Sequence, residues 1–181
     1  MRGRARALTT ALAVSFALTG CSVLSETPSS GEEAPAWRED APTLPAFPTD
    51  ANLLEVDVGR PQDPYHYLID TASLSVGRDG VTRYTIILVS GDGARNVRYE
   101  GIRCQGNAVR AYAYGTSGGI LRPMPTEEWA PLRQDGPYAY RYHLARGYLC
   151  TVRSLPFDRA AALNRLRMSS PPGLSGAEGY H

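Results

Sequence analysis

Apolar and polar residues alternate with a period of two through the middle of the chain, the pattern of strands that bury one face. Between residues 70 and 104 this alternation is interrupted twice by short stretches that contain glycine. The longest run, residues 82–90, is rich in β-branched and aromatic side chains, which favour strands. The pattern therefore predicts three consecutive strands joined by two tight turns, an antiparallel hairpin meander.

The second turn fixes which face each side chain occupies. Asp92-Gly93 follows the long strand and is typical of a two-residue hairpin turn. A turn formed by these two residues pairs Leu88 with Val97, so that apolar side chains share one face. In this register we expect Cys104 on the face opposite to Leu88.

The first turn admits two registers. A two-residue turn would set serines beside the apolar residues of the middle strand, whereas a three-residue loop ending at Gly80 pairs Leu74 with Tyr84. The same register pairs Ala72 with Ile86. We expect the three-residue loop, with Gly80 in the left-handed conformation that glycine adopts readily.

The remaining patterns complete one domain over residues 51–168. Further strands are predicted at 54–58, 65–69, 108–115 and 120–122, with a turn at 116–119. Helices are predicted at 126–132 and at 157–168, where Asp158 is a capping residue and Ala162, Leu163 and Leu166 form an apolar stripe. Residues 141–148 fit either a helix or a strand, and we favour a helix. The predicted fold class is α+β, mainly antiparallel β-sheet with one or two short C-terminal helices.

Residues 1–20 have the features of a lipoprotein signal peptide. Three arginines precede an uncharged apolar stretch that is too short to span a bilayer. Leu18-Thr19-Gly20-Cys21 resembles the bacterial lipobox, whose cysteine receives diacylglycerol and becomes the new N-terminus. The alternative is an ordinary secretory signal that contains a cysteine. Ser22, the residue after the cysteine, resembles the sorting signal of outer-membrane lipoproteins. We therefore expect the protein to be anchored in the outer membrane, with the domain facing the periplasm.

The segments that flank the domain are predicted to be disordered. Residues 21–50 are rich in Pro, Ser and Glu and form a tether, and residues 169–181 form a flexible tail. Trp37 is the exception in the tether. It either packs back onto the domain edge with Leu44 and Phe47, or it docks a partner.

Charge and cysteine content narrow the class of protein. The chain has 19 basic and 18 acidic residues, a balance unlike the basic footprint of a nucleic-acid binder. One of the three cysteines is assigned to the lipid, which leaves Cys104 and Cys150 for a disulfide in an oxidising compartment. Two buried free thiols are the alternative. The cysteines and histidines show no metal-ligand spacing, and no cofactor is predicted.

Catalytic motifs are present only in part. Ser117 lies in a G-x-S-x-G match, and Asp135 and His143 follow in the order of an α/β-hydrolase. That motif requires a helix after the serine, which Pro123 and Pro125 exclude. We therefore predict a turn at Ser117, with no catalytic residues. An ester or cell-wall hydrolase that uses Ser117 or a carboxylate remains the alternative function.

Acidic residues of the meander could suggest a carboxylate pair for glycoside hydrolysis. Asp79 and Asp92, however, are typical turn residues. Glu100 lies between Arg98 and Arg103 in sequence, and we predict that it is an ion-paired strand residue.

A family resemblance rests on the meander and two downstream segments. The relevant segments are DTASLSVGRDGVTRYTIILVSGDGARNVRYEGIRC, then YAYG and Trp129, then RYHLARGYLC. Together they resemble the cryptic neisserial protein-like family of proteobacterial lipoproteins over residues 51–150. The resemblance implies lipidation, a Cys104–Cys150 disulfide and a single domain, and it implies no particular reaction.

These observations predict a non-enzymatic binding or scaffolding module of the cell envelope. It would contact the membrane through its lipid and an envelope protein or glycan through aromatic side chains. Tyr112, Tyr114 and Trp129 are the candidate contact residues.

The lipobox match predicts that Cys21 carries acyl groups and is the mature N-terminus. Mass spectrometry of the native protein should find a lipid-modified peptide that begins at Cys21. Cys21→Ser should accumulate as an uncleaved or mislocalised precursor. An unmodified N-terminus, or one that begins beyond Cys21, would contradict this prediction.

Overall fold

In the part of the chain that the structure describes, seven strands form one antiparallel sheet, and the first six are neighbours in the order in which the chain makes them. The computed structural model describes residues 36–58, 63–125 and 128–169. The strands are β1 (Leu53–Val56), β2 (Tyr65–Val76), β3 (Val81–Ser90), β4 (Arg95–Arg103), β5 (Ala108–Gly115), β6 (Leu121–Pro123) and β7 (Ala130–Pro131). The helices are α1 (Tyr140–Leu144), continued by a π-helical turn at Ala145–Leu149, and α2 (Arg159–Ser169), and a short 3-10 turn at Asp50–Asn52 precedes β1. The predicted class, mainly antiparallel β with short C-terminal helices, is confirmed.

The central strand β3 is buried on both faces. Every residue of this strand except Ser90 is buried, because other parts of the chain cover both sides of the sheet. On one side, here called the helix face, Tyr84 and Ile86 pack with Leu144 and Leu166 of the helical segments. On the other side, called the strap face, Ile87 and Val89 join a smaller cluster.

The predicted register of the second hairpin is wrong by one residue. The turn is a three-residue loop closed by hydrogen bonds between Ser90 and Ala94, and Gly93 has a φ of 84°. Val97 therefore pairs with Ile87 rather than with Leu88. A shift of one residue moves every side chain of a strand to the other face.

The three-residue loop predicted for the first hairpin is confirmed. Gly77 and Val81 close it, and Gly80 has a φ of 75°. The predicted pairing of Ala72 with Ile86 is wrong, because the register shifts between Asp70 and Ser75 and Ile69 lies opposite Ile86.

Asp70 stabilises this irregularity in β2. Its carboxylate accepts hydrogen bonds from the backbone N–H groups of Ala72 and Ser73 at 3.2 and 3.1 Å. The Ser73 hydroxyl in turn accepts the backbone N–H of Thr85 at 2.9 Å. Side-chain bonds of this kind compete with the backbone hydrogen bonds between strands. The side chains of Asp70 and Ser73 therefore stabilise the bulge.

The helical predictions have mixed outcomes. The helix over 141–148 is confirmed as α1 with its π-helical turn, and Asp158 caps α2 by accepting the Ala161 N–H at 2.8 Å. The helix predicted at 126–132 is wrong, because Ala130 and Pro131 pair with β5 as a short strand. Thr126 and Glu127 lie outside the described residues. No helix in the described part of the chain is long and apolar enough to cross a membrane.

The sheet and the helical segment are joined by a disulfide between Cys104 and Cys150, with Cα atoms 5.6 Å apart. Both cysteines lie in the helix-face cluster. Cys104 therefore shares the face of Leu88, which contradicts the predicted placement. The physical reason is the one-residue shift at the second turn, which exchanges the two faces of β4.

The compact unit begins at Trp37, upstream of the boundary predicted at residue 51. Residues 37–50, here called the strap, cross the strap face without forming a strand. Phe47 packs against the small apolar cluster there, and Trp37 contacts the sheet near β4. The prediction of a disordered tether over 21–50 is therefore corrected for residues 37–50. Cys21 and the tail from residue 170 lie outside the described residues.

The position of the disulfide predicts a large loss of stability when it is removed. The bond closes a loop between residues 46 positions apart, which corresponds to about 4 kcal/mol by the chain-entropy argument. The double variant Cys104→Ala/Cys150→Ala should unfold at clearly lower urea concentration than the wild type. As a chemical check, neither thiol should react with maleimide in urea without a reductant, and both should react after reduction. Labelling of both without a reductant would contradict the bond.

Candidate functional site

A buried carboxylate organises the helix face of β4. Glu100 is completely buried and accepts hydrogen bonds from the hydroxyls of Tyr84 at 3.2 Å and Tyr140 at 3.0 Å. The Arg141 guanidinium donates to both oxygens, with Nε 3.1 Å from each and Nη2 on Oε1. The prediction that Glu100 is ion-paired is confirmed, but its partner is Arg141 of α1 and not a neighbour in sequence.

Electrostatics fix the roles within this cluster. Burial, reinforced by the Glu100 carboxylate, raises the pKa values of Tyr84 and Tyr140 well above 10. Burial by itself lowers the pKa of Arg141, but attraction to Glu100 outweighs it and the net pKa of Arg141 is raised. The two phenols therefore remain protonated donors and Arg141 remains a cation, so these three groups act as fixed partners of the carboxylate.

Arg141, which is held by Glu100, also contacts the ring of Tyr138 at the surface. The guanidinium carbon of Arg141 lies 4.5 Å from the centroid of the Tyr138 ring, and that of Arg98 lies 5.4 Å from it. Cation–π contacts of this kind orient an aromatic ring. Tyr138 is nevertheless 49% exposed, so a large aromatic side chain is held in place at the surface.

A groove of about 480 Å³ opens beside Tyr138. Its lining includes Val109 of β5, Pro131 and Leu132 of the β7 segment, and Pro137, Tyr138 and Arg141 of the α1 approach. Ligand pockets of this volume are lined mainly by apolar and aromatic groups with a few fixed polar ones. The Tyr138 groove has that composition, and the buried Glu100 fixes one of its walls through Arg141.

The aromatic residues predicted to contact a partner do not form one exposed patch. Tyr114 is 45% exposed, as the prediction requires. Tyr112 is buried, and its hydroxyl donates to Glu39 at 2.6 Å, so the prediction that it is an exposed contact is wrong. Trp129 is half-buried and packs edge-on against Trp37, with ring centroids 5.7 Å apart.

Glu39 of the strap lies at the centre of a second polar cluster, on the strap face. Its carboxylate accepts from Arg110 at 2.6 Å, from Tyr112 at 2.6 Å and from the Trp129 indole at 3.1 Å. Arg83 adds a longer ion pair at 3.6 Å. The residues that surround this carboxylate, namely Arg83, Arg110, Tyr112 and Trp129, are here called the Glu39 cage.

Two features of the sheet make room for the cage. Tyr112 is the extra residue where the β4–β5 register shifts, since Tyr99 pairs with Ala113 and Glu100 with Ala111. Gly101 lies beneath it, and a Cβ at that position would come within 2.5 Å of the Tyr112 hydroxyl oxygen. A side chain at residue 101 would therefore displace Tyr112 from Glu39.

Sequence analysis missed the cage because its members are far apart in the chain. Glu39 and Arg110 are separated by 71 positions, and no local motif joins them. The one available signal was Trp37, an aromatic residue in a polar segment. Its packing onto the domain was one of the two predicted alternatives, and the described contacts agree with it.

Ser117 lies in a turn, as predicted. The loop is closed by hydrogen bonds between Thr116 and Ile120, and Gly119 has a φ of 70°. Strand β6 follows rather than a helix, so Ser117 is not at a helix N-terminus. His143 lies in α1 and packs edge-on against Tyr142. Among the described residues, no group of three or more His, Cys, Asp or Glu side chains could hold a metal ion.

Comparison with protein families gives a match that covers most of the chain. The sequence model of the CNP1-like family matches residues 32–167, a span that includes the strap, the whole sheet and most of α2. No curated protein and no solved structure matches the chain. The matched span extends beyond residues 51–150 at both ends, so the strap belongs to the region that the family shares.

The burial of Glu100 predicts a large effect of removing its charge. Glu100→Gln keeps the shape of the side chain but leaves the Arg141 cation, whose side chain is only 12% exposed, without its counter-ion. Breaking a buried pair from one side typically costs about 3–5 kcal/mol. Urea unfolding at neutral pH should show a loss of this size.

The matched control is the surface ion pair between Arg95 and Asp50, whose side chains are 36% and 56% exposed. Asp50→Asn should change the free energy of unfolding by at most about 1 kcal/mol, as is typical of exposed pairs. Equal and small effects of the two substitutions would contradict the structural role assigned to Glu100.

Proposed function

The chain belongs to the CNP1-like family, and on that premise we propose that it is a lipid-anchored, non-enzymatic binding module of the cell envelope. The partner is a protein segment that docks in the Tyr138 groove. The observation that carries this proposal is the groove itself, with a half-exposed tyrosine ordered by a buried ion pair.

The composition of the groove supports a binding role. Tyr and Arg are enriched at the energetic centres of protein interfaces, and Tyr138 and Arg141 lie together here. Tyr138 is ordered before any partner arrives, because Arg141 is itself fixed by Glu100. Binding groups that are already ordered lose less entropy on association.

The surroundings of Tyr138 favour a protein segment over a sugar. Glycan recognition by tyrosine requires an accessible ring face, and two guanidinium groups already lie within 6 Å of this ring centroid. Arg133 and Asp135 also line the groove and provide one charge of each sign. Such a lining suits an extended peptide with apolar and charged side chains.

Anchoring in the envelope is supported by the N-terminal sequence. Leu18-Thr19-Gly20-Cys21 has the order of a lipobox, and Ser22 matches the outer-membrane sorting rule. Each buried CH₂ of an acyl chain contributes about 0.8 kcal/mol to membrane binding. Several chains on Cys21 would hold the domain at the membrane surface, where an envelope partner is at high local concentration.

Site-specific crosslinking tests the proposal. A photo-reactive amino acid at position 138 of the full lipidated chain should give a discrete protein adduct in cells. The matched control is position 152, because Val152 is fully exposed and is not among the residues that line the groove. Adducts of equal yield at both positions, or none at 138, would contradict docking in the groove.

A further inference from the structure

The Glu39 cage has the chemistry of a peptide-recognition site that is already occupied. Two guanidinium groups, a phenol hydroxyl and an indole N–H converge on one carboxylate. Charge-assisted bonds of this type are about twice as strong as neutral ones and impose direction. The carboxylate comes from a segment that is remote in sequence and has no regular secondary structure.

We propose that Arg83, Arg110, Tyr112 and Trp129 form a recognition site for an acidic peptide, which Glu39 of the same chain occupies in cis as a built-in competitor. This site is on the strap face and is independent of the Tyr138 groove. Its ligand is a protein segment with an aromatic residue two positions before a glutamate.

The ligand needs an aromatic residue at this position because of the groups that surround Trp37. The guanidinium carbon of Arg103 lies 3.8 Å from the centroid of the Trp37 ring, and Trp129 packs edge-on against the same ring. The Trp37 indole donates to the backbone carbonyl of Asp79 at 2.8 Å. An indole or a similar ring is therefore recognised by stacking and by a directed hydrogen bond.

The backbone of the residue that follows the glutamate is also held by hydrogen bonds. Asp79 accepts the backbone N–H of Asp40 at 2.9 Å, and Arg83 donates to the Asp40 carbonyl at 3.0 Å. Asp79 and Arg83 are themselves ion-paired at 2.6 Å. These contacts use main-chain atoms of the bound segment, so another peptide could make them equally well.

The strap is held in a way that permits exchange. No residue from 36 to 50 is fully buried, and none of residues 36–49 belongs to a helix or strand. The hydrogen bonds that join the strap to the cage and to Asp79 each involve at least one side chain. Residues 37–42 of the strap belong to none of the described apolar clusters. Segments with few buried apolar contacts open at low free energy, so a competing peptide can replace residues 37–42 without unfolding the sheet.

The test is a binding titration with a labelled peptide of the sequence of residues 34–42. The full chain is used as wild type and as Glu39→Ala, whose own strap lacks the carboxylate. Glu39→Ala should bind the peptide at least tenfold more tightly than the wild type, because its competitor is weakened. A peptide with Gln in place of its Glu should bind Glu39→Ala at least tenfold more weakly.

The matched control is Asp40→Ala. Asp40 contributes backbone atoms to the described contacts with Asp79 and Arg83. This variant therefore loses the same charge as Glu39→Ala but should bind the peptide like the wild type. Tyr138→Ala combined with Glu39→Ala should leave peptide binding unchanged, which separates this proposal from the groove. If Glu39→Ala does not fold, Trp37→Ala serves as the second strap-weakened variant.

Three results would overturn the proposal. One is that the labelled peptide shows no saturable binding to Glu39→Ala or to Trp37→Ala at peptide concentrations up to several millimolar. This limit is set by the effective concentration of a short tethered ligand, which is of the order of millimolar. Another is equal binding of the Glu and Gln peptides. The third is equal binding of the peptide by Glu39→Ala and Asp40→Ala.

Discussion

The ion pair between Glu100 and Arg141 is the interaction on which the helix face depends. A carboxylate with no solvent exposure is tolerated only when its charge is neutralised and its lone pairs accept hydrogen bonds. Arg141, Tyr84 and Tyr140 meet these needs together, and two of them come from the α1 segment. The position of α1 on the sheet is therefore set by electrostatics as well as by apolar packing, and the wall of the Tyr138 groove follows from it.

Strand β4 connects the two candidate sites through its alternation. Glu100 projects toward the helices, and the next residue, Gly101, leaves space on the strap face for Tyr112. Arg103, two residues further along, lies over the Trp37 ring. Residues 100–103 of one strand thus supply the buried carboxylate of the helix face and the residues that contact Tyr112 and Trp37 on the strap face. The Cys104 disulfide follows directly and joins the same strand to the helical segment.

The sequence predicted those parts of the fold that are encoded by neighbouring residues. The three-residue loop ending at Gly80 and the Asp158 cap of α2 both depend on contacts within a few positions, and both were found. The meander of β2 to β4 was found from its alternation. The second turn was predicted with two residues because Asp92-Gly93 is typical of a two-residue hairpin turn. The same dipeptide is also compatible with a three-residue loop in which Gly93 is left-handed, and this is the turn that forms. The length of this turn decides which face of the sheet each residue of β4 occupies.

The sequence by itself determined the class of fold and the α2 helix, and it predicted the cysteine pairing and an ion pair at Glu100. Only the tertiary structure decided which cation pairs with Glu100, where the strap lies and which aromatic side chains remain exposed. Arg141 is 41 positions from Glu100 and Glu39 is 73 positions from Tyr112, so their contacts leave no periodic or local trace in the sequence. Such pairings are decided by packing in the folded chain, where a buried polar group without a partner is costly.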